Sequence, residues 1–450
     1  MGVALMKLKN LLCVGMTAAC LGSVPALSAT GPNFPRLGGV LISSPHNYED
    51  SAYQAQIGRL NVVMINTWQG WRGYSGNVTT LDAVVKNLKA INPSIKVFNY
   101  SMLEQVGAGQ GSVQGYKDQF QKVTAMNWWV YNNGVSGTRA LSTWQGSYGP
   151  FYEVNLTSFA PVDANGDLWT DWFAKWVNTN FLAPSPSLDG IYTDSVSWYP
   201  FSASDSDWNR DGTVDATKGA TTAQWYRLGY RHYFDKVNAL APGRMQIANL
   251  ANWGDPNSNL TEYSGVLNGG VIEGILGFSW SPENWGSWSA MLKWYRKTMA
   301  AVAAPKLVMF HQNLTPATDY QALRYGLTSC LMDDGYYAVS PNGAYHDVVW
   351  YDEFDNNLGQ ATSTPPGAAW QNGVYRRDFD KGIALVNPKG NGPQTVTLEA
   401  AFRKISGKQA PGINNGQVVT TVHLNDRDGI ILLRTTVQKR PGPVQNVAVQ

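Results

Sequence analysis

Charged residues and cysteines are scarce in this chain of 450 residues. Only 15% of the residues are charged and the formal net charge is +2. No basic run or acidic tail occurs, which argues against nucleic acid or a membrane surface as the partner. Two of the three cysteines, Cys13 and Cys20, lie in an N-terminal segment that we expect to be removed. Cys330 then stands alone in an apolar helical pattern, which excludes a disulfide framework and favours a buried structural thiol.

Several motifs of common enzyme classes are also missing. The five histidines show no H-x-x-x-H spacing, which disfavours a metal-dependent deacetylase. No G-x-S-x-G is present, which disfavours the commonest esterase arrangement. No glycine-rich phosphate fingerprint follows the first apolar run, so a nucleotide-binding open sheet is disfavoured too.

The N-terminal 28 residues have the pattern of a secretory signal peptide. Lys7 and Lys9 supply the positive charge, residues 11–24 supply the apolar stretch, and residues 26–28 offer small side chains for cleavage. The apolar stretch is too short for a comfortable transmembrane helix. We therefore expect a secreted or periplasmic protein without membrane insertion. A lipid anchor on Cys20 is disfavoured, because Thr17 stands where an aliphatic residue is preferred.

Repeated apolar runs that end at polar residues predict the fold. Each run is short and nearly continuous, as in buried parallel strands, and helical patterns lie between most of them. The runs are 39–44, 61–67, 95–101, 189–195, 245–251, 270–276, 306–312 and 335–340. Eight such units predict an α/β protein with a (β/α)₈ TIM barrel over residues 30–360.

The remainder of the chain has a different pattern of apolar and turn residues. Short alternating runs between Gly, Asn and Asp turns predict a small all-β domain, a sandwich, over residues 373–437, followed by a linker-like tail at 438–450. The apolar interior of this domain, without a matched carboxyl pair at its strand ends, predicts that it stabilises the barrel. An insertion of about 85 residues, from Met102 to Leu188, should build part of the binding face of the barrel.

Aromatic residues are abundant, with 18 Trp, 22 Tyr and 14 Phe, and many lie beside Gly, Ser and Asn in loop-like stretches. Flat aromatic faces in loops suit ligands with apolar C–H faces and many hydroxyl groups, namely sugars. The alternative is that these rings only pack long loops. The C-terminal strand ends of a barrel carry its chemistry, so ligand contacts should come from there. The predicted substrate-binding residues are His46, Asn66, Trp68, Tyr100, Glu104, Trp198, Asn249, Asn252, Trp280 and His311.

Two carboxylates at strand ends form the predicted catalytic pair. Glycoside hydrolysis needs one carboxyl group to protonate the leaving oxygen and another to attack the sugar carbon or activate water. Asp194 ends the fourth run, and Glu273 lies among glycines and apolar residues in the sixth. An apolar setting raises a carboxyl pKa, which suits an acid. The structural alternatives are a turn cap for Asp194 and a salt bridge inside the barrel for Glu273. Glu104 is the next candidate partner.

An acidic stretch after the fourth run matches most of a calcium loop. Oxygen-bearing side chains alternate and a glycine occupies the sharp turn, as in D-x-N-x-D-G-x-x-D. The twelfth position is Lys218, where a bidentate Glu belongs, so an acidic turn without metal is the alternative. No other cofactor is expected. The predicted metal ligands are Asp207, Asn209, Asp211, Thr213 and Asp215.

Three short motifs carry a family resemblance. "LDGIYTDSV" at the fourth run, "GGVIEG" in the sixth and "RRDFDKGIALVNP" at the β-domain resemble a poorly characterised family of bacterial TIM-barrel glycoside hydrolases, over roughly residues 37–437. The layout also resembles alpha-galactosidase-like enzymes. That resemblance implies Asp194 as nucleophile and Glu273 as acid/base. The alpha-galactosidases typically use Asp as acid/base, so Glu273 is a departure from their pattern.

The sequence therefore predicts a secreted glycoside hydrolase that cleaves O-glycosidic bonds of a polysaccharide or oligosaccharide with an Asp/Glu pair. The alternative is a non-catalytic carbohydrate-binding or cell-surface protein that kept the barrel and its aromatic residues. Two carboxylates at paired strand ends favour the enzyme, because binding alone rarely needs them.

Overall fold

A computed structural model describes the fold for residues 31–43, 48–66, 78–109, 116–134, 137–145, 149–250 and 261–435. Its strands are β1 (Leu37–Leu41), β2 (Val62–Ile65), β3 (Lys96–Met102), β4 (Gln105–Gly107), β5 (Phe151–Glu153), β6 (Gly190–Asp194), β7 (Met245–Asn249), β8 (Gly269–Leu276), β9 (Leu307–Leu314), β10 (Tyr336–Pro341), β11 (Tyr375–Phe379), β12 (Gly382–Asn387), β13 (Gln394–Lys404), β14 (Val418–Leu424) and β15 (Asp428–Arg434).

Helices alternate with the strands of the first 330 residues. They are α1 (Ser51–Ile57), α2 (Val78–Ile91), α3 (Lys117–Ala125), α4 (Trp169–Val177), α5 (Ala220–Leu240), α6 (Pro282–Trp285), α7 (Trp288–Ala301) and α8 (Tyr320–Cys330). A π-helical turn at Asn178–Leu182 extends α4, and 3₁₀ turns lie at Thr261–Tyr263 and Asp352–Asp355. Among the helices described, none is both long and apolar enough to cross a bilayer.

Eight parallel strands close into a barrel in the order β1-β10-β9-β8-β7-β6-β3-β2. Each of the eight predicted apolar runs supplies one of these strands, so the predicted barrel is confirmed. The runs are apolar throughout because both faces of each strand are covered. One face packs against the helices, and the other fills the barrel with side chains such as Met64, Phe98, Ile247 and Met309.

The predicted C-terminal β-domain is confirmed as a five-stranded antiparallel sheet in the order β11-β12-β15-β13-β14. The register of β13 against β14 shifts between Thr397 and Phe402, and only the end of β13 pairs with β15. Alternate side chains of β12 to β15 form an apolar interior within the domain. The other face of β12 and β15 contributes Ala384, Val386 and Ile431 to the main core.

The C-terminal sheet packs on the barrel through α8. At this contact the guanidinium of Arg324 lies 3.0 Å from the carboxylate of Asp428, and both side chains are buried. The fully buried Arg377 of β11 also pairs with Asp334 of the barrel, whose side chain is partly exposed. Buried ion pairs that lose one partner are costly, so the two parts of the chain depend on each other. This contact supports the expectation that the sheet stabilises the barrel.

Candidate active site

Two carboxylates and one amide meet at the C-terminal ends of three neighbouring strands. Asp194 ends β6, Asn249 ends β7 and Glu273 lies in β8. The Nδ2 atom of Asn249 donates to Asp194 Oδ1 over 2.9 Å and to Glu273 Oε2 over 2.6 Å. These two carboxylate oxygens are therefore at most about 5.5 Å apart, the sum of the two hydrogen bonds. Both carboxylates are half-buried, so a ligand can reach them.

A backbone irregularity in β8 places Glu273. The register of β8 against β9 shifts between Ile272 and Leu276, and Gly274 has a φ of +60°. A Cβ at Gly274 would lie 2.2 Å from the Cη2 atom of Trp280, so a side chain there has no room. Bulges next to active sites re-aim a side chain, and this one requires glycine directly after the carboxylate.

The backbone after Asp194 is also unusual. Ser195 has a φ of +58°, which a residue with a Cβ rarely adopts. Its N–H donates to Asp194 Oδ1 over 2.8 Å, its carbonyl accepts from the hydroxyl of Tyr230, and the hydroxyl oxygen of Tyr226 lies 3.1 Å from the same carbonyl oxygen. Tyr100 donates to the other oxygen, Asp194 Oδ2, over 2.8 Å. Strained backbone that neighbouring groups hold in place is common at functional sites.

A second set of side chains supports Glu273. The hydroxyl of Tyr345 donates to Glu273 Oε1 over 2.5 Å, and the Tyr345 ring stacks on His311. His311 is fully buried and its Nδ1 atom accepts the N–H of Gly274. Burial lowers the pKa of His311 to about 3, so the ring is neutral and its Nε2–H donates to Ser340. His311 was predicted to bind substrate. In the structure it instead accepts the backbone N–H of the residue that follows Glu273.

The environment of Glu273 favours its protonated form. Burial is the largest cause and raises the pKa of this carboxyl above its usual range, and the negative charge of Asp194 raises it further. The hydrogen bonds from Tyr345 and Asn249 oppose part of that rise. A raised carboxyl pKa extends the pH range over which the group carries a proton, which suits a general acid.

The other predicted substrate-binding residues differ in exposure. Asn66 is buried and donates to the carbonyl of Ile42. Trp198 is half-buried, and the guanidinium of Arg227 lies 3.5 Å from the centre of its ring. Trp280 is 49% exposed and lies against the backbone that carries Glu273. Three predicted residues lie outside the described part of the chain: His46, Trp68 and Asn252.

Tyr345 and Tyr192 belong to the site but are missing from the predicted site residues. The hydroxyl of Tyr192 lies 3.4 Å from Asp194 Oδ1, and Tyr345 holds Glu273. Tyr192 lies two residues before Asp194 on the same strand, and side chains two apart share a face. That spacing was a usable signal. Tyr345 lies in a loop four residues beyond β10, where no periodicity points to a partner.

Glu104, a predicted substrate-binding residue and the alternative catalytic partner, has another environment. It is fully buried, and its two oxygens accept from the amide of Gln105 and from the hydroxyl of Tyr226. Gln105 faces the fully buried Glu153 across the two-stranded antiparallel sheet of β4 and β5. The insertion after β3 thus covers Glu104, so a substrate cannot reach it in this structure. That placement corrects the expectation that it lines the binding face.

The Glu104 and Glu153 carboxyls should make stability depend on pH. Burial raises the pKa of Glu153 to about 8, and burial together with the charge of Glu153 raises that of Glu104. The folded protein therefore binds more protons than the unfolded chain above the ordinary pKa of about 4.3. We expect the free energy of unfolding to fall as pH rises from 5 to 8, by at most about 1.4 kcal/mol per pH unit for each proton, and the melting temperature to fall with it.

The amide of Glu153→Gln resembles the protonated acid, so this variant should lose less stability than the wild type as pH rises. The difference between its melting temperature and that of the wild type should therefore increase with pH. Glu399→Gln is the control. The guanidinium of Arg376 lowers the pKa of Glu399 to about 2, so between pH 5 and 8 that carboxylate is ionised whether the chain is folded or not. If the wild type and Glu153→Gln lose stability in parallel, the proton-binding pair is ruled out.

The predicted calcium loop is held by hydrogen bonds to its own backbone. Asp207 Oδ2 accepts the N–H of Gly212 over 2.8 Å, and Asn209 Oδ1 accepts that of Asp211 over 3.0 Å. Asp215 Oδ2 accepts the N–H of Asn209, which ties the end of the loop to its start. The donor set is all oxygen, as calcium prefers. In the described residues, however, no three His, Cys, Asp or Glu side chains lie together as a metal site.

Calcium binding therefore stays a prediction from the sequence pattern, with a structural role. A ligand that binds only the folded state stabilises it by about 2.7 kcal/mol at one hundred times its dissociation constant. We expect millimolar calcium to raise the melting temperature over that in EDTA, and Asp207→Asn to abolish the difference. Asp205→Asn, two residues before the pattern, should keep it. Identical melting curves of the wild type with calcium and with EDTA would count against a metal in this loop.

A family model matches residues 89–383, about two thirds of the chain. Its description is "Hypothetical glycosyl hydrolase family 15". The match spans β6 to β10 with both carboxylates and confirms the family resemblance that the sequence motifs indicated. No curated protein sequence matches the chain.

Solved structures similar to this chain include three carbohydrate-active proteins. An alpha-amylase from Geobacillus thermoleovorans is 9% identical, with a TM-score of 0.49 and coverage of 89% of this chain and 98% of its own. The glycoside hydrolase domain of PelA from Pseudomonas aeruginosa is 11% identical, with a TM-score of 0.39 and coverages of 69% and 96%. The GH36 alpha-galactosidase AgaA from Geobacillus stearothermophilus is 12% identical, with a TM-score of 0.45 and coverages of 89% and 55%. Similarity this low carries no information on substrate.

Proposed function

The chain belongs to hypothetical glycosyl hydrolase family 15, and on that premise we propose that it is an exported, retaining glycoside hydrolase. In this proposal Asp194 is the nucleophile and Glu273 is the acid/base. The substrate is an oligosaccharide or polysaccharide with O-glycosidic linkages. Export rests on the signal-like N-terminal segment, and fractionation of the producing cells tests it, because the protein should leave the cytoplasm.

The spacing of the two carboxylates is the observation that carries the proposal. Retaining glycosidases hold their two carboxyl groups about 5–5.5 Å apart, whereas inverting enzymes leave about 6.5–9.5 Å for a water molecule. The shared amide of Asn249 keeps Asp194 Oδ1 and Glu273 Oε2 within about 5.5 Å. That limit supports direct attack by a carboxylate over attack by water.

The reaction has two steps. First, an oxygen of Asp194 attacks the anomeric carbon while Glu273 gives its proton to the glycosidic oxygen, so the leaving sugar departs as a neutral alcohol. The covalent glycosyl–Asp194 ester remains. Second, Glu273, now ionised, takes a proton from water as that water attacks the same carbon and releases Asp194. The hydrogen bonds from Tyr100, Ser195 and Asn249 orient Asp194 for both steps.

The second candidate is a barrel that binds carbohydrate without turnover. The paired carboxylates and the raised pKa of Glu273 favour catalysis, since binding needs neither. Release of reducing sugar from a panel of polysaccharides separates the two candidates. The wild type should release sugar from at least one polymer, and Asp194→Asn should bind that polymer without cleaving it. Equal sugar release by the wild type and Asp194→Asn would refute the assigned nucleophile, and binding without release by both would favour the non-catalytic protein.

Stereochemistry provides an independent check. The first product observed by proton NMR should carry the anomeric configuration of the substrate, because two successive inversions restore it. Immediate appearance of the opposite anomer would indicate a single displacement by water and would overturn the retaining mechanism.

A further inference from the structure

The segment that follows β8, residues 277–286, presents an aromatic surface beside the proposed acid/base. We call this segment the β8 loop. The rings of Phe278 and Trp280 stack with centroids 4.8 Å apart and planes 11° apart. Trp280 is 49% exposed, although its ring edge packs against Gly274, the residue directly after Glu273. About half of the Trp280 surface is therefore open to solvent, beside the residue that follows the proposed acid/base.

The position of this surface defines what it could bind. In the proposed reaction Glu273 protonates the glycosidic oxygen, so the departing sugar lies on the Glu273 side of the scissile bond. Aromatic rings bind well to surfaces that are apolar on a face and polar at the rim. A pyranose ring has that character, because its C–H groups lie on the faces and its hydroxyl groups lie around the edge.

Polar contacts fix the β8 loop to the strand that carries Glu273. The hydroxyl of Ser281 donates to the carbonyl of Gly274 over 2.6 Å and accepts the N–H of Phe278 over 2.9 Å. The amide of Asn284 donates to the carbonyl of Phe278 over 2.8 Å. These contacts make the ring pair a rigid surface, which lowers the entropy lost when a ligand is bound.

The C-terminal sheet holds the same loop from the other side. Glu283 is buried and accepts from the hydroxyl of Tyr325 and from Arg427 Nε, the latter over 3.1 Å. Arg427 lies in the turn between β14 and β15 and has a φ of +54°. Lys389, which follows β12, donates to the side chain of Asn284 over 3.1 Å. Two cations of the C-terminal sheet thus reach two consecutive residues of the loop.

We propose that Phe278 and Trp280 form a binding subsite for the leaving-group sugar, and that Arg427 and Lys389 of the C-terminal sheet position it. This inference rests on the proposed function and adds the substrate class. The enzyme cleaves substrates in which a sugar ring follows the scissile bond. The C-terminal sheet then strengthens binding of such substrates and also stabilises the fold. Arg427 and Lys389 are positioning residues, because they contact the loop and not the substrate.

Two probes with the same sugar on the nucleophile side test the subsite. A glycosyl fluoride has no leaving-group sugar, whereas the matching hexasaccharide has one. The wild type is first screened against malto-, cello-, xylo-, manno- and galacto-configured sets of probes. The set whose hexasaccharide it hydrolyses is then used for the variants. Trp280→Ala should raise the KM for the hexasaccharide about tenfold, with a much smaller change for the fluoride. Trp370→Ala, which removes a ring from the C-terminal sheet away from this loop, is the control and should change neither.

The positioning role is tested with the same probes. Lys389→Ala should raise the KM for the hexasaccharide selectively, and the double variant Glu283→Gln/Arg427→Met should do so more strongly. The double variant removes both charges, so no buried carboxylate is left without its partner and the fold is kept. Arg427→Lys keeps a donor near Glu283, so its KM for the hexasaccharide should lie between those of the wild type and the double variant.

The outcomes separate the inferences. A wild type inert on every fluoride and hexasaccharide refutes the proposed function itself. An active wild type with Trp280→Ala unchanged on the hexasaccharide refutes the subsite. Equal losses on both probes in Trp280→Ala also refute it, because they indicate damage to the catalytic centre. If the Lys389 and Arg427 variants melt at lower temperature but keep the wild-type KM for the hexasaccharide, the sheet only stabilises the fold.

Discussion

Replacing Asp194 with Ala should reduce turnover by roughly 10⁴–10⁶-fold, the range seen when a covalent enzyme loses a member of its nucleophilic machinery. The loss should occur with every substrate, including those with an activated leaving group. The reason is positional: among the residues described at this end of the barrel, Glu273 is the carboxyl that shares a donor with Asp194, and it lies on the leaving-group side. Among the described residues, no other group is placed to attack the anomeric carbon.

Chemical rescue separates a lost nucleophile from a damaged fold. Azide can enter the space that Asp194→Ala leaves and attack an activated aryl glycoside directly, which forms a glycosyl azide of inverted configuration. Asp189→Asn is a matched control at the opposite end of the same strand, where Asp189 binds Lys89 and Lys96. It should lower stability and leave the rate constant for cleavage intact. Absence of rescue together with a wild-type melting curve for Asp194→Ala would argue against this residue as nucleophile.

Replacing Glu273 with Gln should produce a loss that depends on the leaving group. A general acid contributes roughly 10²–10⁴-fold through proton transfer. Natural sugar linkages need that proton, so their hydrolysis should fall by about this factor. An activated aryl leaving group departs without it, so formation of the covalent intermediate from an aryl glycoside should be largely spared. Rates for both substrate types in the wild type and in Glu273→Gln measure the difference.

The pH dependence gives the same assignment a second readout. Burial and the charge of Asp194 raise the pKa of Glu273, so the acid form persists to higher pH than in a free carboxyl. Activity on natural linkages should fall as pH rises through that raised value, and this alkaline limb should vanish in Glu273→Gln. Glu262→Gln, which removes the partner of Arg227 outside the site, should keep the limb. A limb that persists in Glu273→Gln would mean that another group is the acid.

The sequence predicted the barrel and the carboxylate pair because both are local properties of the strands. A strand buried on both faces is apolar along its whole length, and its last residue lies at the end of the barrel whatever the neighbouring elements do. Asp194 and Asn249 are therefore visible in a one-dimensional pattern, whereas Glu273 stands three residues before the end of β8 and is placed by the bulge. Their shared hydrogen bonds follow from the neighbouring positions of β6, β7 and β8 in the barrel.

The residues that sequence analysis misplaced are those whose environment comes from distant segments. Glu104 follows a strand, as a ligand-binding residue would, but the distant strand β5 with Glu153 and Tyr226 of α5 enclose it. His311 occupies a barrel strand, yet the bulge of β8 turns a backbone N–H toward its ring. Tyr345 reaches Glu273 only through the path of a loop. No local spacing encodes contacts of this kind, because they depend on packing between elements.

The contacts that complete this site also set an order for its assembly. Where the barrel closes, Arg36 reaches the carbonyl of Asp334, 298 positions later, and Arg427 reaches Glu283 across 144 positions. Contacts with such sequence separation form only after the intervening chain exists, and they carry a high loop-closure entropy. During vectorial synthesis the carboxylates of β6 and β8 are therefore made long before the turn that carries Arg427. A nascent chain has both carboxylates first and the turn that reaches the β8 loop last, so completion of the full site depends on synthesis of the β14–β15 segment.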